Sequence, residues 1–333
     1  MKAFILDRYG TADGTRIGEI PEPEVHDDDV LVQVHAASVN PLDHRLRNGE
    51  FKRILPYRLP MVLGHDLAGV VVRVGSRVRQ FKTGDEVYAR PADGRIGAFA
   101  EFISIEEADL AIKPATLTMQ EAASVPLVGL TAWQALIEKA NIKRGQKVLI
   151  HAGSGGVGTI AIQLARHFGA TVATTTSAAN LELVKRLGAR VAIDYKKENF
   201  ESVLHDYDVV LNSLHGDTLN KSVGVLKPGG VLISISGPPD SDFARQIGAS
   251  WVLNLAMRAL SYRIRRKTRR RGVSYRFLFM RANGDQLREL ASLFDSGVLR
   301  PVIDRVFPFA SIKEAISYVE TGRAKGKVVV SLI

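Results

Sequence analysis

Along the first hundred or so residues the apolar positions come in short runs, Val30-Leu31-Val32-Gln33-Val34, Ala68 to Val74 and Asp85 to Tyr88 among them, cut by Gly, Pro and Asp. Runs of this length with frequent turn residues predict short strands of an antiparallel, barrel-like module. From Ala122 the pattern changes. Thr131 to Leu136 reads as helix, and then strand and helix patterns alternate: strand Lys147 to His151, helix Val157 to Phe168, strand Thr171 to Thr175, helix Leu181 to Leu187. Further strands are expected at Arg190 to Ile193, Asp208 to Leu211 and Val231 to Ile235. Such alternation implies right-handed crossovers and a doubly wound parallel sheet. The chain closes with a helix from Gln286 to Phe294, a strand near Arg305 to Phe307, a helix from Ile312 to Glu320 and a strand from Lys327 to Val330. At 333 residues it exceeds the size at which single cores stop growing, so two domains are expected.

Composition narrows the class. The chain is 46% apolar and 24% charged with mean hydropathy +0.02, and no apolar run approaches the roughly 20 residues that span a bilayer. The segment Met1 to Arg8 reaches Asp7 after only four apolar residues, too few for a signal-peptide core, so a cytoplasmic location is expected. There is no cysteine, which excludes disulfides, thiolate nucleophiles and cysteine-ligated zinc together. Ten of the 45 Lys and Arg lie between Arg258 and Arg281 with no acid among them, and the other 35 match the 35 Asp and Glu. The basicity is therefore local. It reads as a solvated face, as a contact for an anionic membrane or acidic protein, or, least of the three, as a nucleic-acid contact.

Gly153-Ser154-Gly155-Gly156-Val157-Gly158 is a G-x-G-x-x-G that follows a strand and opens a helix, the context in which the motif cradles a pyrophosphate on helix N–H groups. An NAD site carries an acid about 20 residues later to hold the ribose 2′-hydroxyl. None occurs between Gly158 and Glu182; the second strand ends instead in Thr174-Thr175-Thr176-Ser177, followed by Asn180. Hydroxyl donors without a carboxylate suit a 2′-phosphate, so the expected cofactor is NADPH. Thr175, Thr176, Ser177 and Asn180 are its expected partners, with Lys185 and Tyr195 able to reach round. Ser213 and Ser236, each just past a later strand, complete the cofactor-binding set.

Several blocks in order, Asn40-Pro41-Leu42-Asp43, Gly64-His65-Asp66 to Val71, Val74-Gly75-Ser76, Phe81 to Tyr88, Ala152 to Gly158 and Gly188-Ala189, resemble the medium-chain dehydrogenase/reductase superfamily over nearly the full length. In detail the chain is similar to the zinc-free quinone oxidoreductase, alkenal/one reductase and reticulon-interacting-protein-like branch. The resemblance implies an α/β fold: a GroES-like β-barrel substrate domain from residues 1–126 and 281–333, and a Rossmann doubly wound domain from 127–280 that carries the basic segment at 258–281. It also implies a homodimer. Zinc-dependent members place ligands near Asn40 and at His65; with His65 alone remaining, no metal site is expected, and His65 reads as a structural residue of the turn into the next strand.

Without a metal to polarise a ketone, the chemistry suits a substrate that disperses its own charge, an α,β-unsaturated carbonyl or a quinone. The resemblance places Asn40 and Thr131 beside the nicotinamide as orienting groups. Tyr57, in the Lys52 to Leu59 loop, is the candidate donor to the carbonyl oxygen; its alternative reading is an ordinary half-buried tyrosine. Asp43 and His44 could relay a proton, although Asp43 reads first as a cap on the following turn, and solvent could protonate the enolate. Phe277-Leu278-Phe279 resembles the strand that lies against the cofactor or the dimer seam in this family, and otherwise reads as core. The competing function is an NADPH-binding protein associated with RNA or a membrane, with little catalytic activity.

Overall fold

The computed structural model describes residues 1–52 and 57–333. The chain divides into two compact units, one of Met1–Leu130 with Arg281–Ile333, the other of Thr131–Met280.

The first unit is built on a seven-stranded sheet. Its path runs Ile303–Pro308, Lys327–Ser331, Asp29–Val39, Asp66–Val74, Glu86–Ala89, Leu110–Ile112, and Phe102–Glu106 also pairs with Asp29–Val39. All pairings are antiparallel except that of Ile303–Pro308 with Lys327–Ser331. A second sheet of three strands, Thr15–Glu19, Lys2–Leu6 and Met61–Val62, completes the barrel-like module. Alternation of side chains along these strands turns Val30, Val32 and Val34 inward with Leu67, Val71 and Val87, onto Phe4, Phe99 and the helix residues Ile312 and Ile316. The chain's last strand is thus integral to a sheet begun near residue 29. Its register, Val328 against Val39 and Val329 against Ser38, carries Lys327 to the level of Asn40.

The second unit is a six-stranded, all-parallel sheet ordered Val191–Asp194, Thr171–Thr176, Lys147–Ile150, Tyr207–Asn212, Leu226–Ser234, Ser274–Phe277. Consecutive strands on either side of Lys147–Ile150 run outward in opposite directions, so the order reverses beside that strand, at the switch point where doubly wound sheets bind ligands. Strands buried on both faces read as continuous apolar runs, as Val148-Leu149-Ile150 and Val209-Val210-Leu211 do.

The helix from Thr131 to Leu136 is present in two parts, an α-helix over Pro126–Trp133 and a π-helical stretch over Gln134–Lys139. The largest departure from the expected elements is a 20-residue helix, Trp251–Arg270, through most of the basic segment. Its buried side chains are Met257, Ser261, Ile264 and Thr268, spaced four, three and four apart as one helical face requires. Two of those four are polar, which is why the stripe does not stand out in the sequence.

Candidate functional site

In the second unit, the glycine loop joins the Lys147–Ile150 strand to the Gly156–His167 helix. The turn begins at Ala152, which adopts a left-handed φ of 52°. A Cβ on Gly153 would lie 2.1 Å from Thr174 Oγ1, and one on Gly158 would lie 2.4 Å from Ala152 O. These two glycines are demanded by the close crossing of helix and turn. Gly155 is the helix N-cap and offers no side-chain cap, so first-turn N–H groups at Gly156, Val157 and Gly158 keep the unsatisfied character that binds anions.

Beside this loop lies a cluster of small polar groups. Thr176 Oγ1 donates to Ser154 Oγ at 2.9 Å, and Asn180 Nδ2 lies 3.1 Å from the same oxygen and 3.2 Å from Ser177 Oγ. Ser154 is the hub, joining the glycine loop to the end of the second strand. Side chains alternate along a strand, so Thr175 turns the other way. Its hydroxyl accepts from Ala152 N at 3.3 Å and meets His151 Nδ1 at 3.1 Å, so of the expected cofactor residues it is engaged with the strand behind the glycine loop and not with Ser154.

That contact fixes a histidine. Ser222 donates its proton to Thr218 O at 2.7 Å and so accepts from His151 Nε2 at 2.9 Å. His151 is therefore the neutral imidazole with its proton on Nε2, and Nδ1 accepts from Thr175. Burial pushes its pKa down to about 4.

The remaining expected cofactor residues are more dispersed. Ser213 Oγ donates to His151 O at 3.3 Å and Ser236 Oγ to Leu214 O at 2.8 Å. Tyr195 is exposed, and Lys185 Nζ sits 3.0 Å from Glu182 Oε1. Sheet register also brings an acid that counting along the chain does not find. Asp194 is the partner of Thr176 on the neighbouring strand; its carboxylate accepts from Lys196 N at 3.2 Å, and it is followed by Lys196 and Lys197. Thr131 is buried in the Pro126–Trp133 helix. Of Phe277, Leu278 and Phe279, Leu278 is buried while both phenylalanines pack against Phe243, at 5.1 and 5.4 Å between ring centroids.

In the first unit, Asn40 belongs to a buried polar network that the sequence analysis did not see. Asp66 Oδ2 accepts from Ser38 Oγ at 2.8 Å, Asn40 Nδ2 at 2.8 Å and Lys327 Nζ at 3.1 Å, while its Oδ1 accepts from Leu127 N at 2.7 Å. Lys327 Nζ also donates to Asn40 Oδ1. Both ends of the Asn40 amide are thus held from behind, and Asp66 and Lys327 neutralise one another out of water, each almost wholly buried. A second limb joins the same residue. Asp43 caps the Pro41–Arg47 helix by accepting from Asn40 N at 2.7 Å, and its other oxygen meets His65 Nδ1 at 2.6 Å. His65 Nε2 is buried with no hydrogen-bond partner among the described residues. The expectation that Asp43 caps its turn and that His65 is tied into the structure agrees with this geometry; Asp66 and Lys327 are the residues that were missed. Lys327 lies 287 positions from Asn40, so only the sheet register reveals it.

Tyr57 is half-buried. Its hydroxyl accepts from Gly94 N at 3.3 Å, and burial raises its pKa to about 12 against the opposing pull of that N–H, so the phenol stays protonated. The neighbouring part of its loop, residues 53–56, lies outside the described residues. His44 pairs with Glu320 at 3.5 Å, and burial lowers its pKa despite that carboxylate. Among the described residues, no three His, Asp or Glu side chains gather into a metal-binding group.

Residues 26–115 match the family of alcohol dehydrogenase GroES-like domains and residues 187–330 the zinc-binding dehydrogenase family. The chain is 39% identical over 345 residues to 2-methylene-furan-3-one reductase of Solanum lycopersicum, covering 99% of this chain and 79% of that protein. It is 38% identical to the chloroplastic NADPH-dependent alkenal/one oxidoreductase of Arabidopsis thaliana, with the same shares covered. The human mitochondrial NAD(P)H oxidoreductase RTN4IP1 is 35% identical, covering 100% of this chain and 89% of that one. Among solved structures, the quinone oxidoreductase of Coxiella burnetii superposes with a TM-score of 0.87 at 32% identity, covering 100% and 99% of the two chains. The named organelles of two relatives lend no support to a cytoplasmic location; no helix among the described residues is long and apolar enough to cross a membrane. With the GroES-like and parallel-sheet units in place and these relatives spanning it from end to end, the chain belongs to the medium-chain dehydrogenase/reductase superfamily, close to its quinone and alkenal/one oxidoreductases and RTN4IP1-like proteins.

Proposed function

We propose that this chain is an NADPH-dependent reductase that delivers hydride to a quinone or an α,β-unsaturated carbonyl. The observation that carries the reading is the cluster of Ser154, Thr176, Ser177 and Asn180 at the glycine loop: hydroxyl and amide donors, with the carboxylate of Asp194 on the neighbouring strand accepting from Lys196 N in its own turn. Such a set fits a ribose 2′-phosphate, which an acid would repel. When bound, the reduced nicotinamide supplies a hydride to the β-carbon of an enone, or to a quinone. Tyr57, kept protonated by burial, is the group proposed to donate a hydrogen bond to the substrate oxygen as charge develops there. Asn40, locked by Asp66 and Lys327, and Thr131 are proposed to orient the reactants, and water returns the proton to the enolate. The names of the relatives favour a reductase over an NADPH-binding protein without turnover. A homodimer is the assembly proposed, with the edge strand Ser274–Phe277 as its seam.

The test is a steady-state screen of purified protein with NADPH and NADH against quinones, 2-alkenals and enones. Turnover of at least one class with NADPH preferred at least tenfold, about 1.4 kcal/mol, is expected. Equal use of NADH would remove the phosphate-binding role of the Ser154 cluster, and no turnover of any class would remove the reductase reading.

A further inference from the structure

The Trp251–Arg270 helix of the second unit seats one face, Met257, Ser261, Ile264 and Thr268, against its own unit, with Ile264 in the apolar core. Two cations near its end tie it down: Lys267 Nζ donates to Asn220 O at 2.8 Å, and Arg271 donates to Gly224 O at 3.0 Å. The opposite face is unusual in two respects at once. At about 100° per residue, Trp251, Val252, Leu255 and Tyr262 fall on the outward arc of the first three turns, and they are 79%, 56%, 58% and 59% exposed. The same arc continues with Arg263, Arg266 and Arg270, flanked by Arg258, Arg265 and Arg269. None of these six guanidinium groups has a carboxylate partner among the described residues, and no acid occurs in the chain between Asp242 and Asp285.

A solvated cationic face has no use for an exposed Trp, Val and Leu, and an apolar patch meant for a protein core has no use for six unpaired arginines. Their succession along one arc has the chemistry of a bilayer interface, where apolar side chains enter the boundary of the acyl region and cations meet phosphates. We propose that the outward face of the Trp251–Arg270 helix docks on an anionic lipid surface, with Trp251, Val252 and Leu255 inserted and Arg258, Arg263, Arg265, Arg266, Arg269 and Arg270 on the headgroups. Two other occupants fit less well. A second copy of the same face brings twelve arginines to the contact and no carboxylate to meet them, since the helix carries no acid. A nucleic acid would use the arginines and the aromatic rings but leaves Val252 and Leu255 without a role.

The experiment is flotation of the full chain with phosphatidylcholine vesicles, with and without phosphatidylserine. Two variants are compared with it, one changing all six arginines to Gln and the other Trp251→Ser with Leu255→Ser. Circular dichroism and melting confirm that each is folded, and size-exclusion chromatography and titration with single-stranded RNA are run in parallel. The wild type should float only with the phosphatidylserine vesicles. Each Arg near such a surface is worth about fivefold in binding, so the six-fold variant should lose at least about 100-fold. The Trp251/Leu255 variant should lose about tenfold or more, because its insertion is apolar. Turnover of a small soluble enone should be unchanged in both. Absence of flotation, flotation that ignores phosphatidylserine, or full binding by the Trp251/Leu255 variant would each overturn the proposal. RNA bound more tightly than vesicles would replace the lipid by a nucleic acid, and a dimer lost in the variants would replace it by a second copy.

Discussion

In the first unit the side chains taken out of water include full charges. Asp43, Asp66 and Lys327 are buried together, Arg47 reaches Glu320 at 2.6 Å, and Arg90 is sealed beside Asp93. In the second unit no lysine or arginine among the described residues is buried. Its interior polar groups are threonine and serine hydroxyls, amides and a neutral histidine, with Asp194 and Asp240 as the two buried acids, both spent on backbone N–H groups. The difference follows from how each unit is closed. In the parallel sheet, covered on both faces, the buried polar groups are met by hydroxyls, amides and backbone groups of adjacent strands, loops and helices, as His151 is by Thr175 and Ser222. The barrel-like unit is sewn shut by the far end of the chain, and the Asp66–Lys327 pair sits at that seam. Buried pairs stabilise little against an apolar alternative but cost much when halved, so this pair specifies where the last strand registers more than it adds stability.

Halving the pair is the largest effect expected. Lys327→Met leaves Asp66 buried without its counter-charge and should destabilise the protein by about 3–5 kcal/mol in denaturant unfolding. Asp66→Asn combined with Lys327→Met should recover a large part of that loss, because no charge is left unpaired. If the single and double variants are equally unstable, the charge contrast between the units has no energetic content.

The next effect separates the units by pH. Unfolded His151 binds its proton near 6.5 and folded His151 only near 4. Between those values the unfolded chain carries more protons, and the second unit loses stability as pH falls, by about 3 kcal/mol over the window. Asp109, in the first unit, behaves oppositely. Burial is the main cause that raises its pKa from 3.8 to about 6, against the Ala92 N–H that it accepts. The folded chain then holds the extra proton, and stability falls as pH rises from about 4 to 6. The two slopes offset each other in the wild type. His151→Gln should expose the Asp109 slope, with stability falling as pH rises, and Asp109→Asn should expose the His151 slope. Unfolding curves at several pH values read both, and two parallel profiles would mean that neither burial acts as described.

These residues also show what a sequence can disclose. The glycine loop, the strand and helix around it and the hydroxyl run Thr174 to Ser177 are contiguous, so their chemistry is legible in one window of the chain. The helices Leu181–Leu187 and Ile312–Glu320 fall where their apolar periodicity places them. Which face Thr175 presents follows from strand alternation, but that Thr176 rather than Thr175 joins Ser154 requires the sheet. Lys327 could not be read at all, since nothing in Lys327-Val328-Val329-Val330 marks its first residue as a partner of Asn40. The Trp251–Arg270 helix was hidden for another reason: Ser261 and Thr268 occupy half of its buried stripe, and a run of arginines masks a 3.6-residue period.

Within the second unit, Thr176→Asp sharpens the account of the cofactor. The new carboxylate would stand at Ser154, where a 2′-phosphate is proposed to lie, and should weaken NADPH binding at least tenfold, about 1.4 kcal/mol, while NADH binding holds or improves. Titration of the folded variant with each nucleotide reads this directly, and equal losses for both would show that the substitution damages the loop.

The smallest effect belongs to Tyr195, which divides the cluster from its surroundings. Its ring follows Asp194 at the end of the neighbouring strand and is 59% exposed, whereas Thr176 is 2% exposed and hydrogen-bonded to Ser154. An exposed hydroxyl exchanges a bond to water for a bond to ligand and gains little by it, whereas a buried donor already aimed at the hub has no solvent to fall back on. Tyr195→Phe should therefore change the NADPH KM by no more than about twofold, close to 0.4 kcal/mol. A tenfold rise would carry the phosphate site outward, from the Ser154 hub to the strand that bears Asp194, and Lys196 and Lys197 would become its cations.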